Sequence, residues 1–367
     1  MFDRRLVECF DWGLLILTLL VSAVGLIVLY SAVTAGGVGE THVLFKKQVV
    51  WMGAGFAIMF ASLLVHYKYL DKASVAIYCV CVLLLVMVLF FGKNVGGSRR
   101  WLALGPFTMQ PSELMKVSLI IMISSVYSGI VTEQGLGFRD LVKPLFVLSL
   151  PFLLIVKQPD LGTALLLLFL VACLTLFVRV QKRVFLTCAL LGAAAVPLVW
   201  FVLKDYQKAR ILTFLNPDRD PLGAGYHIIQ SKIAIGSGMI FGKGFLHGTQ
   251  NALAFLPEQH TDFILSVLAE EWGLAGCLFL LFLYFFLLLW GLNISYSCRN
   301  TFGSILAFGV TIMIFWQIFI NVGMVMGLMP VVGVPLPLIS YGGSSVITNM
   351  AGIGILMNIS MRRFAST

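Results

Sequence analysis

Charge is what this chain of 367 residues has least of: Asp, Glu, Lys and Arg make up 11% of it. Soluble domains carry roughly 25%, so a globule surrounded by water is excluded. Acids are the scarcer sign, 16 against 25 bases, which leaves a net charge of +9. A cleavable signal is also missing from the pattern. The first apolar run, Trp12–Val33, is long enough to span a bilayer, no small-residue cleavage site follows it, and it is expected to serve as the targeting signal. The seven cysteines, Cys9, Cys79, Cys81, Cys173, Cys188, Cys277 and Cys298, lie in or beside apolar runs with no metal-ligand spacing. The five histidines show none either. There is no Walker motif, no nucleotide-binding glycine fingerprint and no nucleic-acid motif. With nucleic acid set aside, the positive balance points to anionic membrane lipids.

Apolar residues fill the space that charge leaves: 60% of the chain, with a mean hydropathy of +0.99. Ten apolar runs predict an all-α polytopic membrane protein of ten transmembrane helices, forming a single membrane domain over residues 1–367. The runs are Trp12–Val33, Gln48–Val65, Ala73–Gly92, Leu114–Val131, Leu145–Val156, Leu161–Val178, Val184–Leu203, Asp262–Leu292, Ile305–Met329 and Val346–Ile359. A span needs about 20 residues, so two runs are short. Leu145–Val156 and the run after it read as a hairpin with Gln158-Pro159-Asp160 at its interfacial tip. Val346–Ile359 must borrow Gly343–Ser345. An even count puts both termini on one side. The short loops there carry 12 basic residues against 7 opposite, which predicts cytoplasmic termini. The long loop 204–261, between helices 7 and 8, is then extracytoplasmic. Within it Tyr226–Gly236 reads as an interfacial helix with Ile229 and Ile233 on one face, and Gly236–Gly248 is rich in glycine. A loop of this length is usually functional or disordered, and this one is too apolar for disorder.

The few polar stretches stand out against that background. Phe255–Gly273 (FLPEQHTDFILSVLAEEWG) places Glu258, His260, Asp262, Glu270 and Glu271 at the mouth of a span, where carboxylates are solvated, paired or used. Asp262 fits a general base near water; alternatively Thr261 or Asp262 caps the next helix. In MQPSELMK, Ser112 can cap a helix on which Glu113 and Lys116, three apart, share a face. Arg99 and Arg100 precede it with no carboxylate nearby in sequence, and arginine forks suit phosphate oxygens. Asp160 either caps the span at Leu161 or orients a basic residue. Met329–Ser345 holds three prolines and three glycines and cannot be a regular helix. It is either a plain re-entrant turn or a cavity wall with Ser344 and Ser345 facing a ligand.

GSRRW, QPSELMK, QPDLGTA, NPDRDPLGAGYHIIQSKIAIGSG, PEQHTDFILSVLAEEWG and PLPLISYGGSS, in this order over nearly the whole chain, resemble the SEDS family of bacterial shape, elongation, division and sporulation proteins. The wording of NPDRDPLGAGYHIIQSK and FLPEQHTDF is more similar to the branch serving rod-shape elongation than to the division branch. The resemblance implies ten helices, cytoplasmic termini and a site facing the cell exterior in the inner membrane. It implies a peptidoglycan glycosyltransferase that polymerises lipid II onto a growing glycan strand and releases undecaprenyl pyrophosphate. A class B penicillin-binding protein would be its crosslinking partner. Asp262 matches the family's catalytic aspartate. Arg100, Glu113, Lys116, Asp160 and Arg210 match its charged cavity residues. With Arg99, Glu258, His260 and Ser344 they are the expected substrate contacts. Met239 stands where the family often has glycine and is expected to stiffen its loop. A divalent cation, Mg or Mn, bridging pyrophosphate and Asp262 is compatible with this chemistry, although no ligand cluster demands one. Two rivals remain open: a transporter that flips lipid II, and a non-enzymatic scaffold that recruits the penicillin-binding protein.

Overall fold

The computed structural model describes residues 9–34, 41–95, 98–104, 107–130, 135–202, 205–217, 224–253 and 259–363. Its helices follow the apolar runs: α1 Trp12–Thr34, α2 Thr41–Leu64, α3 Lys68–Phe91, α4 Pro111–Ser128, α5 Phe138–Lys157, α6 Leu161–Phe177 and α7 Lys182–Val202. Then come three shorter helices, α8 Asp205–Leu215, α9 Ala224–Ser237 and α10 Thr249–Ala252. Three long ones close the chain: α11 Ile264–Ser297, α12 Thr301–Val325 and α13 Gly343–Arg362. Six of them, α1, α2, α3, α11, α12 and α13, are long and apolar enough to cross a membrane. α12 and α13 form the centre, with α4, α6 and α11 packed on α12 and α2 packed on α13. Apolar side chains on α1, α3, α5 and α7 face outward instead, as a lipid-facing surface requires.

The all-α expectation needs one amendment. Lys93–Val95 (β1), Ser98–Leu104 (β2) and Phe107–Met109 (β3) form a three-stranded antiparallel sheet in the order β1-β2-β3. Asn94 lies opposite Arg99, and Leu102 opposite Met109. Side chains alternate along a strand, so β2 turns Arg100 and the buried Leu102 to one face, with Arg99 and Ala103 exposed on the other. The arginine pair therefore divides between two faces.

α5 starts seven residues before the apolar run that predicted it. Its first turn is polar, and Asp140 accepts the Gly137 amide at 2.8 Å to close the helix start. Pro151 lacks the amide that would bond the Val147 carbonyl one turn back. Tyr78 of α3 takes that role, donating its hydroxyl to Val147 O at 2.7 Å. α9 forms as predicted but buries Ile228, Ser231 and Ala234 against α11 and α12, leaving Ile233 exposed. The hydroxyl of Ser231 decides the face. It meets Ser266 Oγ at 2.8 Å and donates to Val325 O at 2.6 Å.

At the end that holds the C-terminus of α13, polar side chains clasp helices together. Asp11 accepts from Trp290 Nε1 at 2.9 Å and from Ser360 at 2.5 Å. Asn358 donates to the carbonyls of Ser62 and Val65 at 2.6 and 2.5 Å, and accepts the Tyr67 amide at 3.2 Å and Arg362 at 2.6 Å. Replacing it strands buried groups, each costing about 1–3 kcal/mol. Asn358→Leu is expected to lower the thermal midpoint in detergent by several degrees, whereas Asn293→Leu on the exposed side of α11 leaves it in place; differential scanning fluorimetry reads both.

Candidate active site

The turn before α11 carries His260, Thr261 and Asp262, all half-buried. Neither Thr261 nor Asp262 caps the helix: the N-cap position is Phe263, and no side chain bonds there. The turn is held through its carbonyls. Asn321 of α12 donates to Asp262 O at 3.0 Å and to Val334 O at 2.8 Å. Ser340 donates to Thr261 O at 2.6 Å, and the Tyr341 amide to His260 O at 2.8 Å. The segment 330–342 is non-helical, as its prolines require, and Gln48 of α2 ties it down by donating to Ser340 O and accepting the Gly342 amide, both at 3.2 Å. The His260 ring stands edge-on to Tyr341 with centroids 5.9 Å apart. Burial raises the Tyr341 phenol above its ordinary value and keeps it a neutral hydroxyl.

The same segment brings a second carboxylate alongside. A Cβ on Gly333, at φ 74°, would lie 3.4 Å from Asp262 Oδ2, and one on Gly162 would lie 2.6 Å from Val332 O. The backbone of 332–333 is thus sandwiched between the Asp262 carboxylate and the first turn of α6. Asp160 caps that turn, accepting from Thr163 N at 3.4 Å and Thr163 Oγ1 at 3.0 Å. It also pairs with Arg100 at 3.7 Å, so the capping and orienting roles coincide. The guanidinium donates further to Gln158 O at 3.4 Å and to Pro159 O. Gln110 completes the link, donating its side chain to Asp160 Oδ2 at 3.3 Å and its amide to Ser344 Oγ at 3.0 Å.

α4 begins with Pro111 at its first turn and no side-chain cap; the Ser112 hydroxyl is buried instead and finds no partner among the described residues. Glu113 and Lys116 pair at 2.8 Å, as their spacing predicted, and both are buried. Removing a buried charge from water is costly, and only its partner offsets that.

α11 is two helices joined at Gly273, whose φ of 65° and ψ of −161° break the helical path. The loop 239–244 fills the break. Lys243 N donates to Glu270 O at 3.0 Å and Gly244 N to Glu271 O at 2.9 Å, while Leu274 N and Ala275 N donate to Met239 O and Ile240 O, both at 2.9 Å. Met239 holds φ 48°, a conformation that favours glycine. Both glutamates are buried and paired: Glu270 accepts from Lys243 Nζ at 2.7 Å and Thr249 at 3.0 Å, and Glu271 accepts from Ser31.

The geometry thus joins Asp262, Asp160, Arg100 and Ser344 around one non-helical segment, with Glu113–Lys116 one turn along α4. Arg99 is exposed on the other face of β2. Arg210 sits on α8, which packs on α9, and no hydrogen bond or ion pair to another described residue holds it. Glu258 lies outside the described residues. Sequence reasoning passed over Gln110, Asn321 and Gln48. Carboxamides inside an apolar run, as Gln317 and Asn321 are, were the available signal.

A helical membrane protein with a paired, half-buried charge cluster beside a broken helix is the class this architecture defines. The match to known proteins narrows it. Residues 11–364 match the family described as Cell cycle protein, FTSW_RODA_SPOVE, and the chain belongs to it. It is 43% identical over 351 residues to the peptidoglycan glycosyltransferase MrdB of Escherichia coli K12, covering 94% of this chain and 93% of that one. It is 34% identical to the peptidoglycan glycosyltransferase RodA of Treponema pallidum, covering 98% and 99%. Among solved structures it resembles a chain of a peptidoglycan synthase complex that coordinates polymerisation and crosslinking, with a TM-score of 0.83, 32% identity and 97% and 99% coverage. It also resembles the rod shape determining protein RodA of Thermus thermophilus, with a TM-score of 0.73, 30% identity and 97% and 98% coverage.

The buried pair on α4 invites a mutant cycle. Glu113→Gln or Lys116→Met alone leaves an uncompensated charge and is expected to cost about 3–5 kcal/mol. The double variant is expected to regain most of that. The thermal midpoints of the four proteins check it.

Proposed function

We propose that this chain is a peptidoglycan glycosyltransferase of rod-shape elongation, polymerising lipid II in the bacterial inner membrane. Helices α1–α7 and α11–α13 are the ten spans, the termini are cytoplasmic, and the Asp262 site faces the cell exterior. Residues 204–261 form the outer loop between the seventh and eighth spans, within one membrane domain. Kinship over nearly the full length with proteins named for this activity supports the reading. The observation that carries the mechanism is that Asp262 is fixed by its backbone while its carboxylate is spared from capping α11.

In this mechanism Asp262 takes the proton from the 4-hydroxyl of the acceptor sugar. The freed oxygen attacks the anomeric carbon of the growing chain, the bond to undecaprenyl pyrophosphate breaks, and the centre inverts. Arg100 lies where a pyrophosphate can share it with Asp160, and Lys116 is oriented by Glu113. These cations, with Arg99 of β2 and Arg210 of α8, stabilise charge as it builds on the leaving group. His260, Ser344 and Glu258 contact the sugar head. A carboxylate beside a pyrophosphate suits Mg or Mn, which takes one or two carboxylates and substrate phosphates. Such a cation, held by Asp262 and the substrate, would neutralise leaving-group charge. The partner is a class B penicillin-binding protein, a reading supported by the likeness to a polymerising and crosslinking complex.

A general base contributes typically 10²–10⁴-fold. Wild type with a class B penicillin-binding protein is expected to convert labelled lipid II into a size-resolved polymer ladder, and Asp262→Asn to give none. No ladder from either, with a competent partner and Mg present, would sink the polymerase and leave lipid II flipping to be measured in vesicles. A ladder from both would keep the enzyme and remove Asp262 as its base. Chelation with EDTA tests the cation: the ladder should disappear and return on adding Mg or Mn, and an unchanged ladder would eliminate it.

A further inference from the structure

We propose that the chain carries a site for one anionic phospholipid at the end of α5, α6 and α7 remote from Asp160. Five cations gather there: Arg139 and Lys143 in the first turns of α5, Arg179 after α6, and Lys182 and Arg183 at the start of α7. All five are exposed, and no ion pair with another described residue holds any of them. Asp140, the one acid of the rim among the described residues, is engaged by the Gly137 amide. Backbone bonds hold the group together. Leu136 N donates to Arg179 O at 3.0 Å, and Gln181 N donates to Leu136 O at 3.2 Å. The segment entering α5 is thereby stitched to the segment joining α6 and α7, and the five charges form one rim.

Below the rim lies a cavity of about 260 Å³, lined by residues including Leu141, Pro144, Leu168, Val180 and Phe185. Leu141 falls between Arg139 and Lys143, Val180 follows Arg179, and Phe185 follows Arg183 by two residues. The cavity lining and the rim therefore share the first turns of α5 and α7 and the segment between α6 and α7. Two hydroxyls reach the wall, Tyr127 and Thr175, and they bond each other at 2.5 Å, which leaves the interior apolar. An apolar cavity of about 150 Å³ already stays dry and holds a benzene ring. The outer wall is α7, on which Val184 is buried while nearly every other described side chain is exposed, so the cavity lies at the lipid boundary.

An apolar slot beneath five cations that no described acid pairs selects an amphiphile with a negative head. One acyl chain fills the cavity, and the phosphate meets the rim, where arginine can grip it with two donors. Basic pockets between membrane helices have this character. The 17 residues of α6 separate the rim from Asp160, roughly 25 Å at helical rise. The site is therefore distinct from the candidate active site and does not depend on the proposed reaction.

The test uses the full-length protein in detergent and two lipids with identical acyl chains, phosphatidylglycerol and phosphatidylcholine. Native mass spectrometry should show one phosphatidylglycerol retained at least tenfold more tightly than phosphatidylcholine. Arg179→Gln/Lys182→Gln/Arg183→Gln should lose the preference, by roughly fivefold for each cation removed. Lys46→Gln/Lys47→Gln/Lys93→Gln, at the other end of the molecule, should keep it. A second measurement needs no variant, because the native Cys188 is exposed and lines the cavity. Phosphatidylglycerol should slow its labelling by a small maleimide several-fold, with exposed Cys79 as the internal reference. Equal protection by both lipids would make the occupant any acyl chain and overturn the proposal. No protection, or a preference that survives loss of the three cations, would overturn it as well.

Discussion

Everything near the candidate site rests on the way the break at Gly273 is satisfied. A helix interrupted inside an apolar slab leaves amides and carbonyls that water cannot reach, and each costs several kcal/mol unless paired. The loop 239–244 supplies two amides and two carbonyls to the four groups that the break exposes. The exchange separates α11 into a long membrane-crossing part and a short leading part that can be aimed independently. That leading part carries the Asp262 turn. Gly242 and Gly273 make the approach possible, since a Cβ on either would collide with the opposite backbone.

Charge follows the same economy. Inside the bundle three acids are each matched by a cation, Glu113 by Lys116, Glu270 by Lys243 and Asp160 by Arg100, while the buried Asp11 and Glu271 accept from Trp290, Ser360 and Ser31. Each pairing offsets part of the cost of taking both charges out of water. Cations that no described acid pairs lie on loops and helix ends, Arg179, Lys182 and Arg183 among them.

The sequence was most legible where physics is one-dimensional. Ten apolar runs became helices because burial of apolar residues and backbone hydrogen bonding act along the chain, and Glu113–Lys116 paired because three residues of helix bring them together. The proline-rich segment stayed non-helical for an equally local reason. The sheet at 93–109 was missed because strand pairing there depends on β2 finding partners on both sides. The separation of Arg99 from Arg100 was missed with it, being a consequence of strand alternation. The early start of α5 escaped a reading based on hydropathy, since its first turn is polar. The face of α9 was misjudged because two isoleucines weigh more on a hydropathy scale than one serine, whereas a buried hydroxyl with two partners decides the orientation. The residues that brace Asp262 were least legible of all. Asn321 and Gln48 act on backbone atoms far away in sequence, and nothing local announces that.

The way the segment 330–342 is fastened has a consequence for mutational tolerance. Its anchors, Gln48, Asn321 and Tyr284, grip carbonyls and amides of the segment, and Tyr284 reaches Pro337 O at 2.5 Å. A carbonyl is the same whatever side chain stands beside it. Val331 and Val332, half-buried within the segment, can therefore drift among apolar residues without loosening the wall behind Asp262. Sensitivity to substitution moves outward to the three anchors, which lie on other helices, and inward to Gly333, whose φ of 74° strains any side chain placed there.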